Sequence, residues 1–165
     1  EGTDLPLKWA LEGIDLFTVH KEIFKAIADT DTPQGVAAAC RKPTFPELGA
    51  DISTVLLIDR VQDPGNIGTM IRTADAAGFD AVILGDGCAD AYSPKVVRST
   101  QGSLFHSPIF KGSLETWIEK LQQSGLKVYG TALQGAKPYK EISKADRFAI
   151  LVGNEGSGVS KELLE

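Results

Sequence analysis

The sequence predicts an α/β domain built on a doubly wound parallel sheet, preceded by a smaller α/β unit. Three observations carry that prediction. Apolar runs of strand length alternate with stretches whose apolar residues recur at helical spacing. Strands joined through helices pair in parallel with right-handed crossovers. Finally, 165 residues at 42% hydrophobic composition can bury one sizeable core with an appendage.

Residues 1–44 read as the appendage. Trp9 to Glu12 reads as the end of a helix, Ile14-Asp15-Leu16-Phe17-Thr18-Val19 alternates like a strand, and His20 to Ala28 places Ile23, Phe24 and Ile27 at helical spacing. Asp29-Thr30-Asp31-Thr32-Pro33-Gln34-Gly35 is dense in turn formers, and Val36 to Cys40 is a short apolar run fit for a strand. This pattern is too short for an independent core, so it reads as part of a small α/β domain or as a small subdomain packed on the main body. Residues 45–50 carry Pro46 and no periodicity and read as a linker, continuing from Arg41-Lys42-Pro43. The main domain is expected over 51–165.

Its opening is the most informative stretch. Leu56-Leu57-Ile58 stops at polar residues and at Pro64-Gly65, after which Ile67, Met70, Ile71, Ala74 and Ala77 keep the spacing of one helix face. Asn66 stands where the helix would be capped, Gly78 ends it, and Arg72 falls opposite the apolar stripe. Ala81-Val82-Ile83-Leu84 is a second buried strand. Ser93-Pro94 opens the next helix, which carries Lys95, Arg98 and Gln101. A strand over Ser107 to Phe110 follows, then a helix over Ser113 to Ser124 closed by Gly125, a strand over Lys127 to Ala132, and a last strand over Phe148 to Val152. The chain shows neither an internal repeat nor a low-complexity segment.

Composition narrows the function classes. The net charge of -5 argues against a general polyanion-binding surface and leaves room for a local basic site. Cys40 and Cys88 stand far apart without CxxC spacing, and His20 and His106 are isolated, so neither a metal site nor a disulfide framework is predicted. Reduced cysteines suit the cytoplasm, no apolar run approaches a membrane span, and the acidic Glu1 and Asp4 do not suit a signal peptide.

Three strand ends carry loops of unusual composition: Asp63 to Asn66, Thr131 to Pro138, and Gly153-Asn154-Glu155-Gly156-Ser157-Gly158. In a parallel sheet all three open on the carboxyl edge, where ligands bind. Three glycines running into Ser160, the expected cap of a terminal helix, resemble a phosphate cradle. Glu155 speaks against phosphate, because a carboxylate inside a nest of N–H groups competes for them and better suits hydroxyls, an amine or a positive centre. Walker-loop residues and a GxGxxG after the first strand are both absent. Taken singly, each site also has a plain structural reading: a helix cap with a solvated arginine for Asn66 and Arg72, a tight turn with Glu155 capping the next helix for the glycine loop.

Two segments in order carry a resemblance. Asp63-Pro64-Gly65-Asn66-Ile67-Gly68-Thr69-Met70-Ile71-Arg72-Thr73-Ala74 and Leu151-Val152-Gly153-Asn154-Glu155-Gly156-Ser157-Gly158-Val159 resemble the first and second motifs of the SpoU/TrmH family of RNA ribose methyltransferases, within the SPOUT superfamily. The likeness runs from about Val55 to the end. Phe24 to Val36 resembles the end of the small N-terminal RNA-binding domain of the ribosomal-RNA branch.

The resemblance implies methyl transfer from S-adenosylmethionine to a ribose 2'-hydroxyl of RNA, with ribosomal RNA ahead of transfer RNA, in a homodimer whose catalytic domain ends in a trefoil knot. It implies catalytic roles for Asn66, Arg72 and Glu155. It implies cofactor contacts from Thr131, Ala132, Leu133, Gly153, Asn154, Glu155 and Gly156. On charge grounds, RNA contacts are expected from Arg72, whose guanidinium suits a phosphate better than a proton-abstracting role, and from Lys95, Arg98 and Gln101 on the following helix, since a net acidic protein needs local phosphate contacts. A third, Ser-Leu-Asn motif ahead of the last helix is expected in this family, whereas the sequence stops at Glu165, so the chain by itself is expected to bind the cofactor poorly. Two other readings stay open at this point: a noncatalytic RNA-binding or assembly protein of the same fold, and a doubly wound domain for another nucleotide.

Overall fold

A computed structural model of the chain describes residues 9, 12–28, 30–45, 47–49, 51–133 and 135–165. The chain divides into two compact units, Glu1–Arg41 and Lys42–Glu165.

In the first unit the helix expected from His20 onward is present as α1 (Lys21–Ile27), with His20 at its N-cap, where Nδ1 accepts the Glu22 N–H at 3.4 Å. The N–H groups of Glu12 and Ile14 both return to the Trp9 carbonyl, at 3.1 and 3.0 Å, as at a helix end, and residues 10 and 11 of that expectation lie outside the described residues. The two expected strands are not formed. Ile14 to Val19 and Val36 to Cys40 have no ladder partner among the described residues, and Phe17 is 84% exposed. A six-residue alternation marks a face that could be covered, but a strand needs a neighbour to bond, and none is paired here.

The second unit is a five-stranded parallel sheet. In chain order it runs β1 (Thr54–Ile58), α2 (Pro64–Ala76), β2 (Ala81–Leu84), α3 (Pro94–Thr100), β3 (Ile109–Lys111), α4 (Leu114–Gln123), β4 (Lys127–Gly130) and β5 (Phe148–Val152), with spatial order β3-β2-β1-β5-β4. Every adjacent pair is parallel, and Leu57 of β1 stands between Ile83 and Leu151. The parallel α/β sheet read from the sequence for this part of the chain is therefore the one observed. β3 starts two residues later than expected because Ser107 is turned toward Asp75, 3.5 Å from its carboxylate. β4 ends two residues earlier, at Gly130, although the Thr131 N–H still reaches the Leu151 carbonyl at 3.0 Å.

Alternation along β1 sends Leu56 and Ile58 to one face and Val55 and Leu57 to the other, and all four are buried. The first face packs on Ile67, Ile71 and Ala74 of α2 and Val96 of α3; the second packs on Leu114 and Leu121 of α4. Two apolar layers thus hold the central strand from both sides, which is why its run carries no polar alternation. Gly68 lets α2 and α3 approach: a Cβ there would overlap the Ser99 side chain and sit 3.0 Å from the Val96 carbonyl.

The amino edge is tied by one carboxylate. Asp80 Oδ2 accepts from the N–H and hydroxyl of Ser53, both at 2.9 Å, and from those of Thr54 at 2.8 and 3.0 Å. Burial alone would raise its pKa, but these bonds outweigh it and hold Asp80 below the ordinary carboxylate range.

Candidate functional site

After β3 the chain crosses the opposite face through α4 to reach the far side of the sheet, and β5 returns to lie beside β1. The loops leaving β1 and β5 consequently start side by side at the carboxyl edge and diverge. That crevice is the switch point of the sheet.

The first loop is set by two aspartates. Asp59 is 4% exposed, and its N–H bonds the Val152 carbonyl at 2.8 Å, so β1 and β5 stay joined one residue past the strand. Its carboxylate accepts from Arg60 Nε at 3.1 Å and from the N–H and hydroxyl of Ser160 at 2.8 and 2.7 Å. Burial pushes the Asp59 pKa up, and the Ser160 and Arg60 bonds more than reverse this, keeping it ionised. Ser160 does stand at the N-cap position of a terminal turn, the 3-10 segment Lys161–Leu163, but its hydroxyl serves Asp59 rather than that turn.

α2 is capped by Asp63, not by Asn66. The Asp63 carboxylate accepts the Asn66 N–H at 2.9 Å, and Pro64 occupies the first helical turn, where its missing N–H costs nothing. Relieved of capping, the Asn66 side chain projects to the neighbouring loop, where its Nδ2 donates to Glu155 Oε1 at 2.6 Å. Gly78, with φ of 74°, follows the helix end as expected.

Asn154 organises the second loop. Its Oδ1 accepts the N–H groups of Gly156 and Ser157 at 2.9 and 3.1 Å, while Nδ2 donates to the Arg60 carbonyl at 3.0 Å and lies 3.3 Å from Glu155 Oε2. Asn154 and Gly158 close the loop by mutual backbone bonds of 3.1 and 2.8 Å. Gly153 lies against that closure, and a Cβ there would overlap the backbone of Gly158 and Val159. Glu155 is thereby an acceptor for two amides rather than a helix cap. On the β4 side, Thr131, Ala132 and Leu133 leave the sheet exposed, Leu133 completely so at 104%. Thr131 Oγ1 holds that exit to the Leu151 carbonyl at 3.0 Å.

Of the residues singled out from the sequence, Asn66, Asn154 and Glu155 are in contact, and Gly153 and Gly156 shape the same loop. Lys95 joins from α3, with Nζ 3.8 Å from Asp63 Oδ2. Arg72 does not reach this group. It is exposed and without a hydrogen bond or ion pair among the described residues, six residues or roughly 9 Å farther along the helix axis and about 120° around it. Arg98 and Gln101 are exposed on and just after α3. Sequence reasoning passed over Asp59 and Arg60. Two charged residues ending an apolar strand were the available signal, but their partners lie far off in the chain.

A cleft of about 300 Å³ lies at this edge between Asp59, Arg60, Glu115 and Ser160. A larger groove of about 550 Å³, lined by Leu48, Ile52, Phe110, Trp117 and Lys120, lies elsewhere on the unit and contains none of the paired polar groups, so size does not locate the chemistry. Among the described residues no three His, Cys, Asp or Glu side chains gather as metal ligands, and no helix is long and apolar enough to cross a membrane. What the edge offers is an amide on the first turn of α2 held to a carboxylate on the loop after β5, with the guanidinium of Arg72, unpaired among the described residues, about two turns farther along α2.

Fold and site together define an α/β protein whose polar centre is assembled at the switch point of a parallel sheet. Residues 53–165 match the SpoU rRNA Methylase family, and residues 2–46 match a family described as RNA 2'-O ribose methyltransferase substrate binding. The chain belongs to the SpoU rRNA methylase family. It is 54% identical over 153 residues to the 23S rRNA (guanosine(2553)-2'-O)-methyltransferase RlmP of Bacillus subtilis, covering 93% of this chain and 61% of that protein. An AdoMet-bound rRNA methyltransferase from Sinorhizobium meliloti superposes with a TM-score of 0.78 at 34% identity, over 96% of this chain and 62% of that one. The SpoU methyltransferase AviRb from Streptomyces viridochromogenes, in complex with the cofactor AdoMet, matches with a TM-score of 0.62 at 33% identity, over 71% of this chain and 48% of that one. The chain thus spans about three fifths of the length of the first of these relatives.

Proposed function

We propose that the protein is an S-adenosylmethionine-dependent methyltransferase acting on a ribose 2'-hydroxyl of RNA, with ribosomal RNA as its substrate class. The observation that carries this reading is the 2.6 Å bond between Asn66 and Glu155, which joins the two family motifs into one polar centre.

S-adenosylmethionine, when bound, supplies a methyl group already activated on a sulfonium centre. The carboxyl edge fits such a group. Leu133 offers fully exposed apolar surface beside the β4 exit, and the second loop presents a carboxylate, which suits a positively charged ligand and would repel a phosphate. Thr131, Ala132 and Leu133 with Gly153, Asn154, Glu155 and Gly156 are assigned to holding it. Because both polar atoms of Asn154 are already bonded, its contribution is the shape of the loop.

The remaining work falls to the protein's own groups. Glu155 fixes the Asn66 amide, leaving its carbonyl oxygen to accept from a ribose hydroxyl. Arg72 does not act as a base, since guanidinium holds its proton far above neutral pH; it binds an RNA phosphate and stabilises charge developing on the attacking oxygen. Lys95, Arg98 and Gln101 extend that phosphate contact along α3. Residues 1–44 form part of an RNA substrate-binding domain and 45–50 a linker to the methyltransferase domain at 51–165, a reading supported by the two family matches. The trefoil knot is favoured by the way the chain beyond β5 brings Ser160 across to Asp59 at the end of β1. A cytoplasmic homodimer completes the proposal, following the family resemblance.

The test uses the whole protein with methyl-labelled S-adenosylmethionine and ribosomal RNA, followed by nucleoside analysis. Label is expected in a 2'-O-methylnucleoside. Arg72→Ala is expected to cut transfer by about 100-fold or more while calorimetric cofactor binding persists. Label on a base, or an unchanged rate in Arg72→Ala, would overturn the assignment.

A further inference from the structure

Arg60 is one of two non-glycine residues with positive φ among the described residues, at 52°. The other, Gln101, ends a helix, where a left-handed residue is common. Arg60 ends no helix. It sits between the end of β1 and the cap of α2, and its conformation is fixed from both sides. Its guanidinium Nε is drawn back onto the buried Asp59 carboxylate at 3.1 Å, and its carbonyl accepts Asn154 Nδ2 at 3.0 Å.

Those bonds form a continuous line. Asp59 also holds Ser160 through two bonds, so it anchors the chain on the far side of the glycine loop. The Arg60 carbonyl holds Asn154 at the near side. Asn154 shapes the loop through Gly156 and Ser157 and points an amide toward Glu155, which in turn meets Asn66. Were the peptide after Arg60 to rotate into the ordinary right-handed or extended region, its carbonyl would swing away from Asn154, and the Glu155 loop would lose its tie to β1.

We infer that Arg60 is a positioning residue whose left-handed backbone sets the Glu155 loop against Asn66. What the position requires is the backbone conformation. Glycine there keeps the geometry, because it adopts positive φ without steric cost, whereas a β-branched residue does not. The catalytic consequence rests on the methyltransferase reading; the geometric one does not.

The experiment follows the Asn66 side-chain amide by NMR in the 15N-labelled protein, its signal assigned by its loss in Asn66→Ser. In the unaltered protein an amide proton bonded to a carboxylate is expected to lie downfield and to lose that displacement in Glu155→Gln. Arg60→Val is expected to abolish the downfield position, with backbone amides of the sheet core unchanged; Arg60→Gly is expected to retain it. Loss of the signal in Arg60→Gly as well, or its persistence in Arg60→Val, would overturn the inference. Methyl transfer measured in parallel should fall in kcat by about 10- to 100-fold for Arg60→Val, and KM for cofactor should rise with it, because the loop that is released is the one assigned to holding the cofactor. If the NMR pattern holds while no variant transfers methyl, the positioning role stands and the proposed function falls.

Discussion

Two aspartates stand at opposite ends of β1, and they do different things. Asp80, at the amino edge, gathers four bonds from Ser53 and Thr54, adjacent residues at the start of the strand it braces. Asp59, at the carboxyl edge, binds its neighbour Arg60 and a segment 101 residues away. The first fastens strand to strand at the edge opposite Asn66 and Glu155. The second fastens loops that carry the candidate site. A carboxylate at a strand end can thus serve stability or placement, and the sequence distance to its partners separates the two cases.

The comparison breaks most sharply at Gly153. In Gly153→Ala the new methyl group would overlap backbone of Gly158 and Val159, which cannot yield as a flexible side chain would. Transfer is expected to fall by about 100-fold, with thermal unfolding moved far less. A variant as active as the parent would show that the Glu155 loop need not be tightly closed.

Asp80→Ala should do the reverse. Four bonds to one ionised group are lost, yet the site is solvent-exposed and screened, so destabilisation of about 1–2 kcal/mol is expected in chemical denaturation. Activity per folded molecule should not change. A loss of kcat would mean that the amino edge also shapes the site.

The smallest effect is in acid. Asp59 and Asp80 both have pKa values lowered on folding, so each contributes stability that is fully present above the unfolded aspartate value of about 3.9 and is lost as pH falls through the lower folded values. Unfolding monitored from pH 5 downward should show stability declining below about pH 4, and Asp80→Ala should flatten the slope. An unchanged slope would remove Asp80 from that account.

The sheet was legible because buried parallel strands leave unbroken apolar runs, as at Ala81 to Leu84, and because helices between them show one apolar face. The first unit misled for the same reason in reverse: Ile14 to Val19 has the right alternation and, among the described residues, no strand to pair with. At α2 two residues could cap, and Pro64 was the deciding clue, since proline belongs in the first turn and so places the cap at Asp63. Asn66 was visible as a polar residue at the start of a helix and Glu155 as a carboxylate in a glycine loop. Their contact, across 89 residues, needed the β1–β5 adjacency that no local pattern encodes. Arg60 was invisible in a stronger sense, because a left-handed arginine has no compositional mark when its conformation is imposed by partners distant in sequence.

We propose that Asn66, in the first turn of α2, and Glu155, on the loop after β5, act as one unit. A double-mutant cycle on methyl transfer, with Asn66→Ala, Glu155→Ala and the pair, measures it directly. If the account holds, either single change removes nearly as much rate as both together, corresponding to a coupling of about 1–3 kcal/mol for a charge-assisted bond. If the two losses multiply, the residues work independently and the bond between them is not the centre of the site.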